Sequence, residues 1–385
     1  MKIVFVSNYY NHHQAPFSEA ISSLPEVQYY FIETGVMSDE RKKLGYGMER
    51  VPSYVIQNEA YISKKAEFQS LIDNADVVIF GSAPDDLLKN RHKRNVLTFR
   101  YSERLYRKDL SSWKMILKYI KTHFRYGQHR NEYLLCSSAF AAADFAKSGN
   151  YIGRAFKWGY FPEVKRYESL EVLMGKKKSA SILWVGRLIE WKHPDASILL
   201  AEKLRKSGYG IQLNIIGSGI LEQQLKDLIS AKGLTDCVHM LGSMSPDKVR
   251  EHMEQAEIFL FTSDRNEGWG AVLNEAMNSG CAIVASHEIG SVPFLLKNKE
   301  NGIIYQDGDE NSLFQNVKWL LENSDSRRHL GEAAYRTIIS EWNAKVASDR
   351  FVQLIHELLI QGNAGLFTEG PCSRAEMLED GWFRS

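Results

Sequence analysis

Two glutamates eight residues apart, Glu267 and Glu275, carry the most pointed chemistry in the chain. They stand in the stretch Asp264 to Gly280, DRNEGWGAVLNEAMNSG, just after an apolar run from Glu257 to Thr262. That order predicts a buried strand feeding a helix. Within the helix Val272, Leu273, Ala276 and Met277 share one face, and Asn274, Glu275 and Asn278 share the other, which turns Glu275 away from the core. The Gly268-Trp269-Gly270 step lets backbone approach a ligand closely and leaves the first helical N–H groups open to a phosphate. At ~1.5 Å of rise per residue, Glu275 sits about 6 Å beyond the start of the helix. The two carboxylates can therefore flank a bound phosphate, one on each side of a nucleoside diphosphate sugar. A solvated helix face explains the bare spacing equally well. The strand ahead and the glycines around Trp269 turn the reading toward a ligand.

Such a site needs strands to position it, and the sequence offers two series of them. In the first half, Lys2 to Ser7, Val27 to Glu33, Ala75 to Gly81, Val96 to Phe99, Tyr133 to Cys136 and Arg154 to Lys157 alternate with helical stretches. Charged residues from Pro162 to Lys178 read as a linker. A second series follows, with strands at Ser181 to Val185, Ile211 to Ile216, Val238 to Leu241, Glu257 to Thr262 and Ala282 to Ser286. Helices are expected at Pro194 to Lys206, Leu221 to Lys232 and Pro246 to Gln255, and later at Asn311 to Asn323 and Ser326 to Gln361, the last broken near Trp342. This alternation predicts an α/β chain of two doubly wound Rossmann-like domains facing each other across a cleft. The expected boundaries are 1–165, a linker 166–179, 180–344, and a helix 345–361. The tail 362–385 lacks periodicity and is a candidate for disorder.

Ligands of parallel sheets collect at the carboxyl ends of strands. Arg187 and Lys192 bracket the loop after the strand Ser181 to Val185 and can both turn to one diphosphate, stabilising the negative charge that a leaving group gains. In the first half, Asn11, His12 and His13 follow the first strand and suit a hydroxylated acceptor. Adjacent histidines point apart, so they are not expected to share a metal. Arg100 and Glu103 follow the strand Val96 to Phe99, and Arg100 is expected to bind the acceptor. Glu103 is placed to take a proton from an acceptor hydroxyl, or to cap a helix or pair with Arg107.

Ser111 to Arg125, SSWKMILKYIKTHFR, holds no acid. Trp113, Leu117, Ile120 and Phe124 make an apolar stripe, with Lys114, Lys118, Lys121 and Arg125 beside it. A basic amphipathic helix of this kind suits an anionic membrane surface, unless its stripe packs on the sheet.

The totals fit this picture. The 385 residues suffice for two domains, and a formal net charge of +1 argues against a protein built wholly for nucleic acid. Cys136, Cys237, Cys281 and Cys372 are scattered without a CxxC pair, which predicts reduced thiols in a cytosolic protein and no zinc site. No run approaches the length of a transmembrane helix.

The motifs GRLIEWK, NIIGSG, VHMLGSMS, EGWGAVLNEAMNSG and NGIIY together resemble the donor domain of the family 4 retaining glycosyltransferases, which have the GT-B fold. The resemblance covers residues 180 to 345. It implies that Arg187 and Lys192 hold the diphosphate, that Glu275 binds the ribose hydroxyls, and that Glu267 contacts the transferred sugar. It also implies that backbone from Gly268 and Gly270 through Ala271, Val272 and Leu273 meets the phosphates, and that Met244 walls the base pocket. With Glu267, Arg187 and Lys192, Glu103 and His13 complete the expected catalytic set. Departure and attack would share one face of the sugar, with retention and no stable glycosyl-enzyme. No cofactor and no metal are expected beyond the nucleotide sugar. The expected partners are a saccharide or lipid-linked acceptor and an anionic membrane, with the protein cytoplasmic or peripheral at the inner membrane face. The chain departs from the family in its first loop, where Asn8-Tyr9-Tyr10-Asn11-His12-His13 replaces a glycine pair.

Three rivals remain. Asp307-Gly308-Asp309 spells the DxD of metal-dependent transferases, but its setting before a helix fits a turn and cap. Gly217-Ser218-Gly219 hints at a dinucleotide fingerprint without its third glycine. A catalytically silent nucleotide-sugar-binding subunit acting through a partner would carry the same motifs.

Overall fold

The computed structural model describes residues 1–39, 47–48, 50–107, 112–126, 129–362 and 365–383. The chain divides into two compact units, Met1–Glu163 with Glu341–Glu379, and Val164–Ser340 with Asp380–Ser385.

In the first unit, β1 (Lys2–Ser7), β2 (Gln28–Glu33), β3 (Val55–Ile56), β4 (Val77–Phe80), β5 (Thr98–Ser102), β6 (Glu132–Cys136) and β7 (Ala155–Lys157) form a parallel sheet in the order β3-β2-β1-β4-β5-β6-β7. Every residue of β4 is buried, the run expected where helices cover both faces. Val4, Val6, Val78 and Phe80 pack with Ile72 and Tyr61 on one side. On the other, Phe99 meets Phe351 at 4.9 Å, and Phe351 also meets Phe17. Phe351 comes from the helix Ala344–Gln361, so this late helix completes the core of the first unit.

The second unit holds β8 (Lys178–Val185), β9 (Gln212–Ile216), β10 (Val238–Gly242), β11 (Ala256–Phe261), β12 (Ala282–Ser286) and β13 (Ile303–Tyr305). They too are parallel, in the order β10-β9-β8-β11-β12-β13. Ile182, Ile258, Leu260 and Val284 meet Ile198 and Leu204 of the helix Pro194–Lys206 and Leu313 and Val317 of the helix Glu310–Glu322. At Gly217 an added Cβ would lie 1.8 Å from the Gly186 carbonyl oxygen, and at Gly219 2.3 Å from that of Leu188. These glycines let the loop after β9 press on the loop after β8, which accounts for the GxG without a dinucleotide. Asp309 caps the helix Glu310–Glu322 by accepting from Ser312 N at 2.8 Å, and Asp307 accepts from Ser286 Oγ at 3.0 Å. The DxD triplet is a turn and a cap.

Two expectations are corrected. The segment 166–179 is part of the second unit and carries the helix Leu170–Met174 and the start of β8. Leu173 and Met174 are buried against Tyr335, and Lys165 and Lys176 both bind Glu254 at 2.6 Å. Two of the charges that made the stretch look like a linker meet on one carboxylate. The described part of the tail, residues 365–383, also packs rather than running free. Lys157 N donates to Ser373 O at 2.7 Å, Cys372 N to Lys157 O at 2.8 Å, and Ala375 N to Ala155 O at 3.0 Å. The tail thus pairs antiparallel with β7, covering an edge strand that would otherwise present unpaired backbone groups. Further on, Asp380 pairs with Arg265 at 3.0 Å and Trp382 Nε1 donates to His287 O at 3.1 Å, both within the second unit.

The basic helix spans Ser112–Tyr126, and Ser111 lies outside the described residues. It packs through Tyr126 and Thr122, which are buried, and through Tyr119 against Tyr106. Its apolar stripe does not pack on the sheet. Trp113 is 61%, Leu117 56%, Ile120 49% and Phe124 68% exposed, with Ile116 beside them at 57%. Among the described residues, no helix is long and apolar enough to cross a membrane.

Candidate active site

The second unit gathers its polar side chains at the carboxyl ends of β8 and β11. Thr262, just past β11, holds the two loops together. Its hydroxyl donates to Lys192 O at 2.8 Å and to His193 O at 3.0 Å, and receives Trp184 Nε1 at 2.9 Å. Asp264 N adds a bond to Trp191 O at 3.0 Å. This stapling sets Lys192 Nζ directly on the Glu267 carboxylate, which also accepts from Ser263 Oγ at 3.0 Å. The lysine is only 12% and the glutamate 10% exposed. Arg187 and Lys192 both approach the Trp191 indole, with centroid distances of 5.6 Å and 4.8 Å. Two cations and one carboxylate therefore share a small patch, and both charged groups approach the indole.

Glu267 owes its position to the glycines that follow. Gly270 has φ +81°, and a Cβ there would lie 2.3 Å from the Phe261 ring. Only glycine allows the turn that ends at the helix Val272–Asn278. Trp269 is wholly buried and its Nε1 donates to Asn274 Oδ1 at 2.9 Å. Asn278 is buried too, accepting from Lys165 N at 2.8 Å and from Arg250 at 2.9 Å. The expected outer face of this helix is thus a correction: Asn274 and Asn278 face inward, because the tryptophan N–H, a backbone amide and a guanidinium satisfy them. Glu275 stands between them, partly buried. Burial pushes its carboxyl up, and the Arg250 charge pulls it back. Ala271 and Leu273 are buried and Val272 partly so. Met244 lies half-buried past the carboxyl end of β10.

In the first unit the structure brings His13 and Glu103 together through a residue the sequence reading missed, Tyr160. Its ring stacks on His13 at 5.3 Å with an 8° interplanar angle, and its hydroxyl donates to Glu103 Oε1 at 2.6 Å. Arg107 pairs with the other oxygen of Glu103. His13 is pushed down to about 3 by burial and by His12, so it is a neutral imidazole at physiological pH. Asn11 accepts from His13 N at 2.9 Å, building the loop itself. Arg100 points elsewhere. It is buried, with its guanidinium on Glu132 at 2.8 Å and Asp85 at 2.9 Å, which corrects its expected acceptor role. Ser263, Trp191 and Arg250 are further residues of the second unit's site region that the sequence reading passed over. A polar pair directly after a buried strand, Thr262-Ser263, was the available signal.

Residues 168–337 match the family described as glycosyl transferases group 1. The amylovoran biosynthesis glycosyltransferase AmsK of Erwinia amylovora is 29% identical over 46% of this chain and 44% of its own length. An N-acetylgalactosaminyltransferase of Campylobacter jejuni, whose name specifies a diphospho-undecaprenol-linked acceptor, is 30% identical over 46% of this chain and 47% of its own. The matches thus span about half the length of these relatives. Among solved structures, HepE of Anabaena in complex with UDP is similar over 93% of this chain and all of its own, with TM-score 0.68 and 14% identity. That likeness is one of fold.

Proposed function

We propose that the chain moves a sugar from a nucleoside diphosphate sugar to a hydroxyl acceptor with retention of configuration, a reading supported by the match of residues 168–337 to the group 1 glycosyl transferases and by the GT-B arrangement of the two parallel sheets. The observation that carries this reading is the Lys192–Glu267 contact beside Arg187, at the carboxyl ends of two neighbouring strands. As the bond from sugar to diphosphate breaks, charge accumulates on the leaving oxygen. Lys192 and Arg187 stabilise that charge more than the ground state, which is the condition for lowering a barrier. Glu267, anchored by Lys192 and Ser263, orients the sugar. Glu275 takes the ribose hydroxyls, and backbone from Gly268 to Leu273 the phosphates. Departure and attack occur on one face, and no step uses a metal ion.

In the first unit, Glu103 receives the acceptor proton, with Tyr160 and His13 shaping the surface beside it. The relatives named for polysaccharide assembly and for a lipid-linked acceptor support a role in surface polysaccharide or glycolipid synthesis. The exposed stripe and lysines of the helix Ser112–Tyr126 support work at an anionic membrane face.

The test is release of nucleoside diphosphate from a panel of uridine, guanosine, adenosine and thymidine diphosphate sugars, with and without a chelator, and product configuration read from the anomeric proton coupling. Turnover that survives chelation and keeps the donor's configuration supports the reading. Binding of a nucleotide sugar without turnover for any acceptor hydroxyl would replace it with the silent-subunit reading.

A further inference from the structure

We propose that His92, His129 and Glu132, in the first unit, form a structural binding site for one divalent cation of the zinc type. Their two imidazole nitrogens and one carboxylate oxygen all lie within 4.8 Å of one another. His92 belongs to the helix Lys89–Arg94, and His129 and Glu132 flank the turn that opens β6. Glu132 N donates to His129 O at 3.3 Å, and Arg154 binds the carbonyls of both residues, so this turn is firmly set.

The carboxylate is arranged as a ligand would be. Glu132 Oε1 is taken by Arg100 Nε and by the Tyr151 hydroxyl, each at 2.8 Å. These bonds leave Oε2 toward His92 Nε2, at 2.9 Å. Hydrogen bonds that fix the far oxygen of a ligating carboxylate are the usual outer support of a metal site. The two imidazoles lie face to face, 3.4 Å between centroids and 12° from parallel. Two protonated rings would repel strongly at that spacing.

Two nitrogens and one oxygen suit zinc or cobalt better than magnesium or calcium, which prefer oxygen alone. Tetrahedral bonds of about 2.0 Å set neighbouring donors ~3.3 Å apart. The ion would therefore spread the His92–Glu132 pair slightly from its 2.9 Å and swing the stacked rings open. Both histidines are partly exposed, which gives an ion access, while Glu132 is buried. The site lies at the amino end of β6, whereas Glu103 and the first loop lie beyond the carboxyl ends of β5 and β1. Its role is therefore to clamp the helix Lys89–Arg94 to the sheet, and it stands independently of the transferase reading. Cysteine spacing could not reveal it, since no cysteine takes part.

The test uses the full chain stripped with a chelator and then titrated with zinc or cobalt chloride. One equivalent of zinc should bind and raise Tm, and cobalt should give the visible absorption of a four-coordinate site. His92→Ala and His129→Ala should each lose both effects while keeping the wild-type far-ultraviolet circular dichroism in chelator, which shows that they fold. Tyr151→Phe should weaken zinc roughly ten- to a hundredfold. A wild type that takes up no zinc, or histidine variants that bind it as tightly as the wild type, would overturn the site and leave His92 and Glu132 as a metal-free hydrogen-bonded pair.

Discussion

Replacing Lys192 by methionine separates the two jobs its ammonium performs. In the resting protein it neutralises Glu267, and the pair is only 12% and 10% exposed. Methionine keeps a side chain of similar length beside the Trp191 ring but removes the charge, leaving the Glu267 carboxylate to the Ser263 hydroxyl. Breaking a buried pair by removing one partner costs about 3–5 kcal/mol. The surviving serine bond and the residual solvent contact place this case near the lower end, at ~3 kcal/mol. For a unit of this size each kcal/mol lowers Tm by about 2–4 °C, so the expected drop is roughly 6–12 °C. The double variant Lys192→Met/Glu267→Gln leaves no unpaired charge and should recover part of that loss. In catalysis, the lost cation removes about 3 kcal/mol of transition-state stabilisation, roughly a hundredfold in kcat, with a smaller change in KM. Paired calorimetry and donor-turnover assays on wild type, both single variants and the double variant supply all the quantities. A Lys192→Met protein with wild-type kcat would refute the leaving-group role. A double variant no more stable than Lys192→Met would refute the argument that Glu267 is left uncompensated.

Gly270→Ala should lower stability by about 2–3 kcal/mol, because the left-handed turn is lost to any Cβ and the Phe261 ring must move; an unchanged urea midpoint would contradict this. Lys114→Glu with Lys121→Glu, both exposed, should cut binding to anionic vesicles by about 30-fold or more, at ~1 kcal/mol for each lysine, while leaving neutral vesicles unaffected. Flotation in which both proteins behave alike would remove the membrane role. Burial alone would raise the Glu254 carboxyl, but hydrogen bonds from Lys165, Lys176 and Tyr167 outweigh it and hold it at about 2, against 4.5 ordinarily. A depressed carboxyl contributes stability that is present above pH 4.5 and fades as pH falls toward 2. Glu254→Gln should therefore be less stable than wild type at pH 7, with the gap closing as pH falls below 2, and parallel Tm profiles of the two proteins would dismiss the linkage.

Most strands were legible because a parallel sheet covered on both faces writes itself as short runs of Val, Ile and Phe between glycine and polar turns. Helices with sharp chemical limits were equally plain: Pro194–Lys206 and Pro246–Gln255 each begin at a proline. The two-residue strand Val55–Ile56 was invisible, since two residues carry no period. In the site, Glu267, Arg187 and Lys192 were readable from their place after strands. The partner that links His13 to Glu103 was not, because Tyr160 lies far along the chain and only the fold brings its ring to the first loop.

The misread residues share one cause. Asn274 and Asn278 were assigned to an outer face by polarity, and Arg100 was assigned to a ligand by its position after a strand. In each case a distant group supplies the missing hydrogen bond: Trp269 for Asn274, Lys165 and Arg250 for Asn278, Glu132 and Asp85 for Arg100. Hydrophobic period reports which residues leave water without needing a partner, whereas a polar residue can leave water only once its partner is in place. The tail follows the same logic at the level of backbone. Gly370 to Ser373 carry no apolar pattern, yet Pro371, Cys372 and Ser373 are buried, because β7 offers them a row of hydrogen-bonding groups at the edge of the sheet. Sequence pattern therefore marks the core of each unit well, and underestimates how far polar side chains and unpatterned backbone are drawn into it by partners that only the fold supplies.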